Sequence, residues 1–433
     1  MRWEQRLTHA AASDVGLRRK NNEDACFAQP AATAEEFDSR GHVFIVADGM
    51  GGHAVGELAS KMAVETVSHL LLKGGPSTGE LLRSSITAAN AAINDRGRHN
   101  RDFDRMGTTC TALVLSPGGA YIGHVGDSRG YRLRRDRLDQ LTFDHSLDWE
   151  YRRRYPNRKD DSFLRNNRNV ITRSLGPEQD VRVDVEGPFA VLPRDRFLLC
   201  SDGLSGLVSD DEIAAALRLL SCEEAVTLLI DLANLRGGND NCTVVVCEAG
   251  DLPAGVPPAE IEYEQPTRPE WTLHVGWMAG FAGVALLLVL GLALWFSGRP
   301  IRSLTTVGLG GALLIPLIVG VMRSRERQLS AFVPDNDDRS RTVHNRPHAS
   351  AVALPPEEFA SDLASACQEL ARTAREDNWA VVWDEYEKAA AAAQAAADER
   401  RMAAAVRDLA RAIHCLMSGL TKMRTGVAGV GVG

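Results

Sequence analysis

Two peptides far apart in the chain, Val43 to Gly49 and Phe197 to Gly203, each run from apolar residues into a carboxylate followed by glycine. A run of β-formers halted by Asp-Gly reads as a buried strand leaving the core, with Asp48 or Asp202 at its mouth and a glycine that lets the backbone turn. Asp-Gly is also a common turn dipeptide with no chemistry of its own. Repetition gives it more meaning here: the run Tyr121 to Arg129 delivers Asp127 in the same manner, and Asp240 stands just before the apolar stretch Val244 to Cys247. Converging carboxylates are hard oxygen donors suited to Mg²⁺ or Mn²⁺, with Ca²⁺ also open, while the close His and Cys spacings of a zinc site are missing.

A second group of residues could handle phosphate. Arg19 to Asp24 (Arg-Lys-Asn-Asn-Glu-Asp) places cations just before the carboxylates Glu23 and Asp24, and Asp48-Gly49-Met50-Gly51-Gly52-His53 leads to Gly56-Glu57. A guanidinium grips two phosphate oxygens in its fork, and paired divalent ions clamp the others while activating a water. Together these are the parts of a site for phosphomonoester hydrolysis. A surface salt bridge is the plainer use of Arg19.

The elements that must carry these groups follow from the wider text. At 433 residues, 44% hydrophobic and 24% charged, the chain has room for two or three globular domains. Its formal charge of -8 and lack of a long basic stripe argue against a nucleic-acid partner. None of the eight cysteines forms a Cys-x-x-Cys pair, and most lie in apolar text, which fits buried, reduced thiols in the cytosol. The opening Met-Arg-Trp-Glu-Gln-Arg lacks the apolar core of a signal peptide, so residues 1–250 are expected in the cytoplasm. Over those residues short β-rich runs alternate with helical stretches at Glu57 to Leu72 and Thr78 to Asn94, a mixed α and β domain.

Residues 251–272, rich in proline and acids, read as a linker. Leu273 to Phe296 carries no formal charge; as a helix it would span about 36 Å, enough for the ~30 Å hydrocarbon core of a membrane. Leu304 to Met322 is a second uncharged stretch, with Pro316 predicting a kink. A buried soluble hairpin is the alternative. The short loop between them holds Arg299 and Arg302, but Arg323, Arg325 and Arg327 weight the outer flank, which predicts an inner-membrane hairpin with both flanks in the cytoplasm. Residues 323–355 read as a polar linker. Residues 356–423 read as a small helical hairpin or bundle, with Phe359, Leu363, Cys367 and Leu370 stepping at three and four and an Ala-rich stretch from Trp379 to Met423 continuing in helical register.

Taken in order, Arg19-x-x-Asn-Glu-Asp24, Asp48-Gly-Met-Gly-Gly-His53, Gly107-Thr-Thr, Gly126-Asp-Ser-Arg, Asp144-His-Ser, Thr172-Arg-Ser-Leu-Gly, Ser201-Asp-Gly-Leu and Asp240-Asn-x-Thr resemble the metal-dependent type-2C protein serine/threonine phosphatases (the PPM family) in their bacterial form. The match covers about residues 8–250. It implies an α+β fold, an αββα sandwich of two antiparallel sheets flanked by helices, followed here by the transmembrane hairpin and the helical C-terminal segment. It also implies a site for two Mn²⁺ or Mg²⁺ ions, with a third possible. Carried over, Asp48 would bridge both ions, the Gly49 carbonyl would bind the first, and Asp202 and Asp240 the second. Asp127 with Asp202 would hold the third. Glu23 and Asp24 would orient water as outer-shell groups, and Arg19 would anchor phosphate.

The expected chemistry is in-line attack on phosphorus by a metal-activated water, without a phosphoenzyme. The expected substrates are phosphoserine and phosphothreonine in proteins, in opposition to bacterial Ser/Thr kinases. Two departures stand out. Met50 occupies the position of the proposed general acid of animal relatives, which leaves that role unassigned. The flap between His145 and Thr172 is unusually basic, a solvated loop or an attractor of acidic, phosphorylated substrates. The competing reading is a membrane-bound signalling scaffold whose phosphatase-like domain is inactive.

Overall fold

The structure, a computed structural model, describes residues 7–52, 54–75, 77–100, 103, 106–154, 170–250, 285, 289–290, 296–297 and 347–425. One sheet has the order β1 (Thr8–Asp14), β11 (Cys242–Glu248), β10 (Arg196–Cys200), β7 (Arg129–Arg134), β8 (Arg137–Gln140), β12 (Ala349–Val352). The other runs β2 (Asp24–Gln29), β3 (His42–Met50), β5 (Cys110–Ser116), β6 (Gly119–Val125), β9 (Asp184–Phe189), with β4 (Gly107–Thr108) paired to β3. Neighbouring strands pair antiparallel throughout.

The apolar runs ending in Asp-Gly are buried on both faces because each face meets a different layer. Along β3, Val43, Ile45 and Ala47 face α2 (Ala54–Leu71) and α3 (Thr78–His99), whereas Phe44 and Val46 enter the core between the sheets. Along β10, Phe197 and Leu199 join that same central core, whereas Leu198 and Cys200 face α6 (Asp210–Leu219) and α7 (Cys222–Leu235). This is period-two alternation with an apolar partner on each side, and it builds the expected αββα sandwich. The remaining described helices of this part are α1 (Ala34–Arg40), α4 (Leu147–Arg154) and the short α5 (Asp202–Ser205).

The C-terminal residues differ from the sequence reading, which set 323–355 apart as linker and 356–423 as a separate segment. Ala349 to Val352 form β12, paired with the edge strand β8 in the register Ala349↔Gln140 to Val352↔Arg137. Met1–Gly255 and Thr342–Gly433 make one compact unit. Phe359 and Leu363 of α8 (Pro356–Glu376) and Ile413 and Leu416 of α10 (Met402–Thr425) share one continuous core with Ile213 and Leu229 of α6 and α7. The physical reason is visible in α7, whose buried residues Cys222, Ala225, Val226 and Leu228 to Asn234 cover more than one apolar stripe and leave Glu223, Glu224 and Thr227 at its margin. A helix whose buried residues exceed one stripe needs cover beyond the sheet, and the tail supplies it. The Ala-rich stretch also divides: α9 (Trp383–Asp398) ends in a turn where Arg400 has a φ of 59°, and α10 begins at Met402.

Both hydrophobic stretches, Leu273–Phe296 and Leu304–Met322, lie almost wholly outside the described residues. Within the first, Ala285, Val289, Leu290 and Phe296 are helical and exposed. Among the described residues no helix is long and apolar enough to cross a membrane.

Candidate metal and phosphate site

The antiparallel pairing of β2 and β3 sets Asp24 opposite Asp48. Asp48 is pinned through its backbone. Its N–H donates to Thr109 Oγ1 at 2.8 Å, and its carbonyl accepts from Thr109 N–H at 2.8 Å and Thr108 Oγ1 at 2.9 Å. Thr109 Oγ1 lies 2.7 Å from Ser128 Oγ, and Ser128 follows Asp127, so two hydroxyls tie the Asp48 and Asp127 strand ends together.

From the other sheet, Asp202 opens α5 directly after β10, and Asp240 precedes β11. Asp24 joins the two sheets: its Oδ2 accepts from Ser201 Oγ and Thr243 Oγ1, both at 2.7 Å. Glu23 is fixed by its main chain, its N–H donating to Asn241 Oδ1 at 2.8 Å and its carbonyl accepting from Gly49 N–H at 3.1 Å. The approach at Gly49 leaves no room for a side chain, since a Cβ there would lie 2.1 Å from the Gly56 carbonyl oxygen and 2.5 Å from that of Glu23. A Cβ on Gly56 would lie 2.1 Å from Glu23 Oε2, so the glycine at the start of α2 makes space for that carboxylate.

Arg19 sits at the rim, with Nη2 2.7 Å from Asp240 Oδ2 and the two side chains 46% and 36% exposed. The salt bridge weighed from sequence is therefore present, and its partner is one of the expected metal ligands.

The electrostatics favour bound cations. Burial pushes the Asp48 carboxyl well above the usual range, and the charges of Asp24, Asp202, Asp127 and Asp240 push it further. Burial raises Asp24 to about 7, against the opposing bonds from Thr243 and Ser201. Asp127 rises to about 7 through burial and then Asp202, and Asp202 to about 6 through burial and then Asp240. Like charges drawn together out of water resist ionisation unless positive charge joins them. Oδ1 of Asp24, of Asp127 and of Asp202 is buried with no hydrogen-bond partner among the described residues. Unsatisfied carboxylate oxygens in an all-oxygen cluster fit Mn²⁺ or Mg²⁺.

No group of three or more His, Cys, Asp or Glu among the described residues is closed to ligating geometry. The charges of Asp24, Asp202, Asp127 and Asp240 all act on Asp48, and Asp240 is paired with Arg19.

The thiols offer no competing chemistry. Burial is the main cause raising the pKa of every cysteine, with Cys110 and Cys200 at about 12, so a thiolate nucleophile is disfavoured. Sequence reasoning included Thr108, Thr109, Ser128, Ser201, Asn241 and Thr243 in motifs without giving them roles. Asn241 also donates through Nδ2 to the carbonyls of Val15 and Asn21 at 2.9 and 3.0 Å, stitching the Arg19 loop to the site. His53 and the flap residues Arg158, Lys159, Arg165 and Arg168 lie outside the described residues. On the described part of the flap, Arg152 bonds Asp148 at 2.8 Å and Arg153 lies 4.8 Å from the Phe143 ring centre.

The model of the protein phosphatase 2C family matches residues 18–228. Serine/threonine phosphatase stp of Listeria welshimeri is 36% identical over 250 residues, which are 56% of this chain and 96% of that protein. Serine/threonine protein phosphatase PstP of Mycobacterium tuberculosis is 37% identical over 253 residues, 58% of this chain. The match spans only 46% of the length of PstP. The crystal structure of the M. tuberculosis phosphatase PstP/Ppp superposes with a TM-score of 0.51 at 35% identity, covering 57% of this chain and 99% of that one. On the ordered motifs, the two-sheet sandwich and these likenesses, the chain belongs to the protein phosphatase 2C family.

Proposed function

We propose that the chain removes phosphate from phosphoserine and phosphothreonine in proteins, using Mn²⁺ or Mg²⁺ held at the carboxylate cluster. One observation carries this reading: carboxylates from both sheets gather at the strand ends, Asp24 and Asp127 buried and Asp48 and Asp202 half-buried, mutually repelling and with unsatisfied oxygens. Asp48, the Gly49 carbonyl, Asp202 and Asp240 would hold two ions, with Asp127 available to a third. When bound, such ions clamp phosphate oxygens and acidify a water for in-line attack. Asp24 keeps the two sheets in register at the site through Ser201 and Thr243, and Glu23 lies over the start of α2 beside it. Arg19, at the solvent side, presents a guanidinium fork for the phosphate of an approaching protein.

The proposal extends to the membrane. Leu273–Phe296 and Leu304–Met322 form a hairpin across the inner membrane, with the phosphatase part and the C-terminal helices on its cytoplasmic side, facing Ser/Thr kinases and their substrates. The shared core of α7 and α10 is compatible with this arrangement: residues on both flanks of the apolar stretches fold into one unit, so any crossings come in pairs. The test of activity is hydrolysis of p-nitrophenyl phosphate by the full chain in detergent, with Mn²⁺ or with EDTA. Metal-dependent turnover that falls in Asp202→Asn supports the enzyme. Absence of turnover under all conditions favours a binding scaffold.

A further inference from the structure

The loop from Asp14 to Arg19 is held from two directions. On one side, Leu17 and Arg18 donate their N–H groups to the Gly238 carbonyl at 2.8 and 3.0 Å, and Asn234 Nδ2 donates to Asp14 Oδ1 at 3.0 Å. Those partners belong to the C-terminal end of α7 and the turn after it. On the other side, Arg424, near the end of α10, donates through Nη2 to the Leu17 carbonyl. Leu17 is thus gripped at both its N–H and its C=O, two residues before Arg19.

α7 is itself clamped by α10. His414 Nδ1 lies 2.9 Å from Asp231 Oδ2, and Arg407 and Arg411 lie 3.3 and 3.4 Å from Glu224 Oε1. Glu224 is also the capping-box residue of α7, its Oε2 accepting from Ser221 N–H at 3.1 Å, so the α10 arginines hold a side chain that already fixes the helix start. The contacts run along one helix from residue 407 to 424 and end on the loop that carries the rim arginine.

We propose that Arg424 of α10 is a positioning residue for Arg19, so that the C-terminal helices form part of the phosphate-binding apparatus. The inference rests on the reading of Arg19 as phosphate anchor. A long arginine at the end of a docked helix stabilises one loop conformation by a charge-assisted hydrogen bond to a carbonyl. Removing it leaves the fold and the carboxylate cluster in place but lets the guanidinium of Arg19 sample positions that miss the phosphate, and small misplacements of such groups are costly.

The test uses the full chain in detergent with a phosphothreonine peptide. Arg424→Ala is expected to raise KM about three- to tenfold with kcat nearly unchanged, and Arg424→Lys to restore most of the difference. In the Arg19→Ala background, Arg424→Ala is expected to add nothing further to KM. Hydrogen exchange in the metal-free protein gives a readout separate from activity: the Leu17 and Arg18 amides are expected to exchange faster in Arg424→Ala, while amides of β3 do not change. Unchanged exchange at Leu17 and Arg18 overturns the clamp, as does an Arg424→Ala effect on KM that persists undiminished in Arg19→Ala. Faster exchange combined with an unchanged KM in Arg19→Ala overturns the reading of Arg19 instead.

Discussion

Asp24, Asp127 and Asp202 carry pKa values raised to about 7, 7 and 6, and burial is the first cause for each. The folded chain therefore keeps these protons at pH values where the unfolded chain, titrating near about 4, has released them. Stability from the protonated forms is complete below that lower value and is lost as pH rises through the folded values. Mn²⁺ replaces the protons, so the gap in Tm between Mn²⁺-loaded and EDTA-treated protein is expected to widen from about pH 5 to about pH 7.5. Calorimetry at a series of pH values checks it; a gap that narrows contradicts the site. Asp24→Asn is expected to weaken metal affinity about 10- to 100-fold by loosening the Ser201 and Thr243 contacts, measured as the Mn²⁺ concentration needed for half-maximal turnover. Gly49→Ala is expected to abolish turnover, because its Cβ would lie 2.1 Å from the Gly56 carbonyl oxygen. The Asp-Gly pairs were legible in the sequence because a strand stop and a carboxylate share one peptide. The duties of Thr109, Ser201 and Thr243 were not, because a hydroxyl gives no sign of which distant carboxylate or hydroxyl it meets until the strands are in register.

At the scale of elements, the two β-runs read correctly as buried strands because both of their faces are apolar. The role of the last helices could not be read the same way. α10 has an ordinary amphipathic pattern, which fits packing inside a separate bundle as well as packing on α7. The clue lay in the partner, since α7 buries residues over more than one stripe, and its Glu224 and Asp231 pair with Arg407, Arg411 and His414 of α10. Ile413 is fully buried in the core that α10 shares with α7. Ile413→Ala is expected to cost about 2–5 kcal/mol and to lower the stability of the phosphatase part with it. Denaturant unfolding followed by hydrogen exchange at β10 and β11 checks this. Loss of protection confined to α8–α10 would mean that the two parts fold separately.

For the whole molecule, the shared core requires that the chain leave the folded unit after β11 and return to it before β12 on the same side of any barrier between. Single cysteines placed in the loop around Arg299 and in residues 323–341 of a cysteine-free background, in sealed inner-membrane vesicles of known sidedness, are expected to label from opposite sides. Labelling from one side would remove the hairpin. The most direct measurement for the molecule as an enzyme titrates Mn²⁺ into EDTA-stripped full chain while phosphate release from a phosphothreonine peptide is followed. Release is expected to be absent before Mn²⁺, to rise to saturation with it, and to fall by at least about 100-fold in Asp48→Asn at the same Mn²⁺ concentration. Turnover that is equal in EDTA, or unaffected by loss of Asp48, would contradict the assignment of the carboxylate cluster as the catalytic centre.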